Sequence, residues 1–335
     1  MVDTVRFQPT ASLAAFVQPA ESRAGQRIER LRAGMPLPAH LHNAVIALGN
    51  FDGFHLGHQA VARRAVEIAR AQGGVATIVG TFDPHPVDQF RPGGAPFRLT
   101  TLDQRQSLLA AEGVDAMMVF PFDAALAQAT PEGFVEHWLR DLGGIVTGED
   151  FRFGAGRAGD IEKLAALGAR RGITTASVAP VLVDGDVVSS SRIRGAIGAG
   201  DCSGAAQLMT RPFAIDAILR PGRRMDPALA LIDASVDLGR YLRPHAGVYA
   251  VRARLADGRS LGGSAYLAHW DAHAQDATLE LFLVDLAQAD FGQRVEIELI
   301  ARLHDACETY DPPSLRQRIA LDRTEARAIV ASLLH

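Results

Sequence analysis

At 335 residues, with 48% apolar and 21% charged residues, the chain has the makeup of an ordinary globular protein with room for two domains. Its net charge of -4, from 34 Lys+Arg against 38 Asp+Glu, excludes a sequence-independent nucleic-acid binder, which needs a basic surface to displace counterions. No apolar run is long enough for a bilayer, and the N-terminus lacks the basic start and apolar run of a secretory signal, so no membrane or nucleic-acid partner is expected. Cys202 and Cys307 lack zinc-like spacing and read as free thiols of a reducing cytoplasm.

Residues 1–43 read as an extension of uncertain structure, with Pro9, Pro19, Pro36 and Pro38 breaking any long element. Val45–Leu48 then reads as a strand. Val61, Ala65 and Ile68 mark a helix, and Val75–Val79 is the next strand. Thr101-Leu102-Asp103-Gln104 has the form of a capping box, leading to Leu108 and Leu109. Ala116–Phe120 is a strand. Thr130 and Pro131 open a helix whose buried face is Phe134, Val135, Trp138 and Leu142. Ile145–Thr147 (strand), Ile161–Arg171 (helix), Ala176–Val183 (strand region) and a helix from Ser190 or Ser191 follow. Strands alternating with helices predict a parallel sheet covered on both faces, with ligands outside the carboxyl ends of its strands.

From about Arg211 the pattern changes. Phe213–Leu219, Val248–Leu255, Ser260–Leu267, Leu279–Leu286 and Arg294–Leu303 are strand-like, Asp257-Gly258 is a hairpin signal, and the tail from about Ser314 is helical. The expected architecture is α/β: a Rossmann-like parallel-sheet domain over 44–205, then a small antiparallel β-barrel with a C-terminal helix over 213–335, the boundary falling near 205–212.

Four segments carry chemistry. In Gly49-Asn50-Phe51-Asp52-Gly53-Phe54-His55-Leu56-Gly57-His58, two imidazoles stand at a strand-to-helix turn, where they and the helix N-terminus can donate to phosphate oxygens; Gly57 permits close backbone approach. That suits attack on the α-phosphorus of a nucleoside triphosphate, because positioned donors stabilise the developing charge. His-x-Gly-His alone is a weak signal, and zinc would need further ligands. Thr81-Phe82-Asp83-Pro84-His85-Pro86 holds Asp83 and His85 in a proline-stiffened frame, or is a plain stiff turn. In Gly148-Glu149-Asp150-Phe151-Arg152-Phe153-Gly154 the rings suit a flat heterocycle and Arg152 or Arg157 a phosphate; core packing of Phe151 and Phe153 is the alternative. Ser189-Ser190-Ser191-Arg192-Ile193-Arg194 opens a helix, either as simple caps or as a polyphosphate grip of hydroxyls, N–H groups and two Arg.

Together these segments resemble the bacterial FAD synthetase family, the bifunctional riboflavin kinase/FMN adenylyltransferases, in their order and spacing over roughly residues 44–205. The resemblance implies a nucleotidyltransferase joining the AMP of ATP to FMN with release of pyrophosphate and with Mg²⁺ carried through the substrate phosphates. It makes His55 and His58 stabilisers of the transferring phosphoryl group. Ser190, Ser191, Arg192 and Arg194 would hold the triphosphate, with Gly49, Asn50, Phe51 and Gly57 on the ATP side. Asp52, Asp83, Pro84, His85, Asp150, Phe151 and Arg152 would form the flavin-phosphate side.

The second half resembles the family's kinase at Gly247-Val248-Tyr249-Ala250-Val251, at Thr278-Leu279-Glu280 and at Asp290-Phe291-Gly292. It departs where the family carries Gly-Phe-Pro-Thr-Ala-Asn. Here Met225-Asp226-Pro227-Ala228-Leu229-Ala230 places Ala228 for Thr and Ala230 for Asn, and a methyl group neither ligates Mg²⁺ nor bonds phosphate. Riboflavin kinase activity is therefore expected to be lost or severely weakened, leaving Glu280 without its metal site. Another phosphorylated acceptor, such as a modified flavin, and a non-catalytic flavin-binding regulator are the alternative functions.

Overall fold

A computed structural model describes residues 28–90, 93–222, 234–269, 277–306 and 312–332. They divide into two compact units: of the described residues, one takes those from 28 to Gly94 and Leu102–Val188, the other Ala95–Thr101 and those from Ser189 on. Helices just after Ser189 pack with the second unit, so this divide comes ahead of residues 205–212.

The first unit contains, in chain order, β1 (Glu29–Arg32), β2 (Val45–Leu48), α1 (Leu56–Ala71), β3 (Thr77–Asp83), α2 (Pro86–Phe90), α3 (Leu102–Ala111), β4 (Ala116–Pro121), α4 (Ala124–Ala127), α5 (Pro131–Trp138), β5 (Gly144–Gly148), α6 (Ile161–Ala169), β6 (Thr174–Val178) and a small hairpin of β7 (Leu182–Val183) and β8 (Asp186–Val187). The parallel sheet has the order β1-β4-β3-β2-β5-β6. Strand periodicity explains its two cores. Ile46 and Leu48 of β2 join Phe134, Val135 and Leu164 in one cluster. Val45 and Ala47, which alternate with them, join Val61, Ala62 and Ala65 of α1 in the other. The helix starts follow capping chemistry: Thr130 Oγ1 accepts from Gly133 N at 3.1 Å, with Pro131 next, and Asp160 Oδ1 accepts from Lys163 N at 2.9 Å.

Several expectations shift. β3 begins at Thr77 and runs on to Asp83, because Thr81, Phe82 and Asp83 pair with Val119, Phe120 and Pro121. The expected strand region Ala176–Val183 breaks into β6 and one arm of the β7–β8 hairpin, with Pro180 between them. The stretch read as an extension supplies β1, a strand beside β4. Leu142 is buried but lies beyond the end of α5.

The second unit begins with α7 (Ser190–Ala199) and α8 (Cys202–Met209). Then come β9 (Phe213–Ile218), β10 (Arg220–Pro221), β11 (Ala234–Asp237), β12 (Gly247–Leu255), β13 (Ser260–Leu267), β14 (Thr278–Leu283), β15 (Arg294–Asp305) and α9 (Pro312–Ser332). The seven strands form one curled antiparallel sheet, a half-barrel of order β10-β11-β14-β13-β12-β15-β9. The predicted hairpin at Asp257-Gly258 joins β12 to β13, with Gly258 at φ +89° and Leu255 N donating to Arg259 O at 2.9 Å. α8 packs on β9 and β15, and α9 packs across β12 and β13 with Ile319, Ala326 and Val330 buried. Residues 95–101 join this unit as a strap: Arg98 N donates to Arg240 O at 3.2 Å and Leu242 N to Arg98 O at 2.8 Å. Cys202 is buried, and burial pushes its thiol up to about 12. Cys307 lies outside the described residues. Among the described residues no helix is long and apolar enough to cross a membrane.

Two neighbouring glycines of β13 make opposite predictions. A Cβ on Gly263 would sit 2.3 Å from the Phe282 carbonyl oxygen of β14, which is backbone and cannot step aside. A Cβ on Gly262 would meet Val330 Cγ1 at 3.5 Å, an ordinary contact. Gly263→Ala is expected to lower stability in urea unfolding by about 2–3 kcal/mol through overpacking. Gly262→Ala is expected to change it by less than about 1 kcal/mol; equal losses from both would show that sheet spacing is not what reserves position 263.

Candidate active site

In the first unit the chain runs from β2 outward through β3 to β4, then returns to place β5 on the other side of β2. That reversal makes a switch point between β2 and β5, where parallel α/β sheets bind ligands beyond the strand carboxyl ends. The loop after β2 is Gly49–His55 and the loop after β5 is Glu149–Gly154. The end of β3, at Thr81–Asp83, lies on the other side of β2. Three of the four predicted segments thus gather on one sheet edge. The fourth, at the head of α7, belongs to the second unit.

His55 is the N-cap of α1, with extended backbone at φ -78°, ψ 173°. Its Nδ1 accepts from His58 N at 3.4 Å. An Nδ1 acceptor places the ring proton on Nε2, so His55 presents an Nε2–H donor. The two imidazoles stack with centroids 3.7 Å apart and planes at 21°. His55 is 6% exposed and His58 is half-buried. A Cβ on Gly57 would lie 3.2 Å from both Cε1 and Nδ1 of His55 and 3.7 Å from Val188 O. Gly57 therefore makes room for the His55 ring as well as for close backbone approach. The α1 N-terminus adds its positive end to the same spot.

Other predicted residues divide by where their side chains go. Phe51 and Asp52, expected to face ligands, turn inward and are 0% exposed. Phe51 packs in the α1 core and against His58, ring centroids 5.0 Å apart. Asp52 pairs with Arg105 at 3.5 Å. Both brace the loop, as enclosed side chains must. Gly49 and Asn50 stay half-buried at the loop head. His85 is buried, its Nδ1 accepting from Val87 N at 3.2 Å at the start of α2; Asp83 is half-buried and Pro84 exposed. Asp150 and Arg152 are exposed, and Arg152 Nη1 donates to Phe151 O at 3.0 Å. Phe153 belongs to the core, while Phe151 is partly buried and stacks on it at 5.9 Å.

At the head of α7 the cap is Ser189, whose Oγ accepts from Arg192 N at 3.2 Å. Ser190 and Ser191 occupy the first helical turn instead. Arg194 Nε donates to Phe97 O at 2.8 Å, and its guanidinium lies 5.1 Å from the Phe97 ring centroid. In the half-barrel, Glu280 is half-buried on β14, in register with Ser235 and Tyr266. Asp290 is 2% exposed and bonded by Arg259, which holds its carboxyl below the usual carboxylate range. Ala228 and Ala230 lie outside the described residues.

Sequence reading missed Arg105. It stands one turn before buried Leu109 on α3, and a charged residue on an apolar helix face is the signal that marks it. Among the described residues no three His, Cys, Asp or Glu cluster to cage a metal.

Residues 37–192 match the FAD synthetase family model, and residues 209–330 the riboflavin kinase model. A bifunctional riboflavin kinase/FMN adenylyltransferase of Pseudomonas fluorescens is 34% identical over 313 residues, covering 90% of this chain and 100% of its own length. The enzyme of that name from Escherichia coli (strain K12) is 31% identical over 287 residues, covering 84% and 91%. A crystal structure named as a macrolide-efflux protein from Streptococcus pneumoniae shares the fold, with a TM-score of 0.78 at 23% identity over 90% of this chain and 99% of that one.

Proposed function

This chain belongs to the bifunctional riboflavin kinase/FMN adenylyltransferase family, and we propose that it transfers AMP from ATP to FMN while its phosphorylation of riboflavin is lost or severely weakened. The observation that carries the reading is the stacked His55–His58 pair at the head of α1, beside the sheet's switch point. An FMN phosphate oxygen attacks the α-phosphorus of ATP, forming a new P–O bond. The bond from that phosphorus to the bridging oxygen of the β-phosphate breaks, and pyrophosphate leaves with the electron pair. Negative charge grows on the α-phosphoryl and leaving oxygens. The His55 Nε2–H, the His58 ring and the α1 N-terminus are donors suited to it. Ser190, Ser191, Arg192 and Arg194 hold the triphosphate, and Asp150 and Arg152 stand on the acceptor side. Mg²⁺ carried on the ATP phosphates would neutralise part of their charge.

The test is incubation with Mg-ATP and either FMN or riboflavin in the cytoplasmic pH range, followed by separation of the flavins. FAD is expected from FMN, and little or no FMN or FAD from riboflavin. Efficient FMN formation would overturn the kinase claim, and no FAD from FMN would overturn the choice of acceptor.

A further inference from the structure

Phe51, Gly53 and Phe54 have φ of 50°, 83° and 39°. Two of these are not glycine, and such strained backbone persists only where its surroundings over-determine it. The restraint on this loop comes from α3. Asn50 O accepts from Thr81 Oγ1 at 2.7 Å and from Arg105 Nη1 at 3.3 Å. Arg105 Nη1 also donates to Thr81 Oγ1 at 2.9 Å, and Nη2 lies 3.5 Å from Asp52 Oδ1. The Arg105 and Asp52 side chains are 1% and 0% exposed.

We propose that Arg105 is a positioning residue for adenylyl transfer: it clamps the Asn50–Asp52 turn to the end of β3 and so fixes the His55–His58 pair. This rests on the function proposed above. The clamp reaches the imidazoles through short links. Phe51 packs against His58, Phe54 N donates to Phe51 O at 3.3 Å, and Gln59 Nε2 donates to Phe54 O at 3.1 Å. The same guanidinium holds Thr81, which opens the Thr81–Pro86 segment, so one cation ties the histidine loop to the segment after β3. A planar fork is needed, because a single group must serve acceptors in several directions; a lysine offers a point charge.

Arg105→Lys keeps the charge beside Asp52 and loses the fork. Arg105→Met with Asp52→Asn removes the buried pair together, leaving no orphaned carboxylate. For Arg105→Lys the expected result is a thermal midpoint near wild type, with kcat for FAD formation lowered about tenfold or more and KM for ATP within about threefold, since small misplacement costs rate before binding. Amide exchange should quicken across residues 49–58 and stay unchanged in α6. If the double variant does not fold, Thr81→Val loosens the same junction and carries the same measurements. Unchanged exchange across 49–58 in a folded variant would overturn the clamp. Faster exchange with kcat within twofold of wild type would overturn its catalytic consequence. Exchange needs no substrate, so a wild-type protein that made no FAD would sink the adenylyl-transfer reading and leave the clamp decided separately.

Discussion

Replacing His55 with asparagine is expected to leave the protein folded and to lower the rate of the proposed adenylyl transfer by about a hundredfold, the loss seen when one preorganised donor is removed from a developing oxyanion. The substitution separates two jobs that one side chain holds. As N-cap, His55 accepts from His58 N; asparagine is among the best N-caps and keeps an acceptor there. As a ring, His55 presents an Nε2–H donor at the helix head, and the shorter asparagine amide does not extend to that place. The thermal midpoint should therefore hold while kcat, measured at saturating ATP and FMN, falls. His55→Ala should lose the rate and also roughly 1 kcal/mol of stability with the cap. An asparagine variant turning over within threefold of wild type would remove the imidazole from the mechanism.

Restoring oxygen ligands to the kinase-like half should restore its chemistry. With Ala228→Thr and Ala230→Asn together, FMN formation from riboflavin and Mg-ATP is expected to rise about a hundredfold above the unaltered chain, since a metal on the transferred phosphoryl is worth several kcal/mol. A threonine hydroxyl and an asparagine carbonyl are hard oxygen donors that alanine lacks. Glu280 lies on β14 in register with Ser235 and Tyr266; if it is the base for a substrate hydroxyl, Glu280→Gln in the altered protein should abolish the gain. Rapid phosphorylation of riboflavin by the unaltered chain would show that other residues bring in the metal.

Much of this was legible because local rules and the global fold agree. The alternation of β2 serves both cores, Thr130-Pro131 starts a helix, and Asp257-Gly258 turns a hairpin. The three loops of the first unit could be placed on one sheet edge from strand order alone. Legibility ended where a residue's role depends on distant partners. Arg105 meets Thr81 and Asn50, 24 and 55 positions away, and nothing in its own neighbourhood names them. In the loop itself, composition does not tell which side chains turn inward; Phe51 and Asp52 do, because the positive-φ backbone needs packing and charge beneath it. β1 escaped notice because Glu29-Arg30-Leu31-Arg32 carries the polar residues of an edge strand. Any of the three serines before Arg192 can cap by type; backbone geometry chose Ser189.

The strap at residues 95–101 bears on how such a gene can be rearranged. Its residues belong by packing to the second unit, yet they are encoded in the middle of the first. Recombination at Ser189 would give the recipient a half-barrel whose own strap stayed behind, and a parallel-sheet unit trailing a seven-residue segment made for another body. The two halves are thus not interchangeable cassettes.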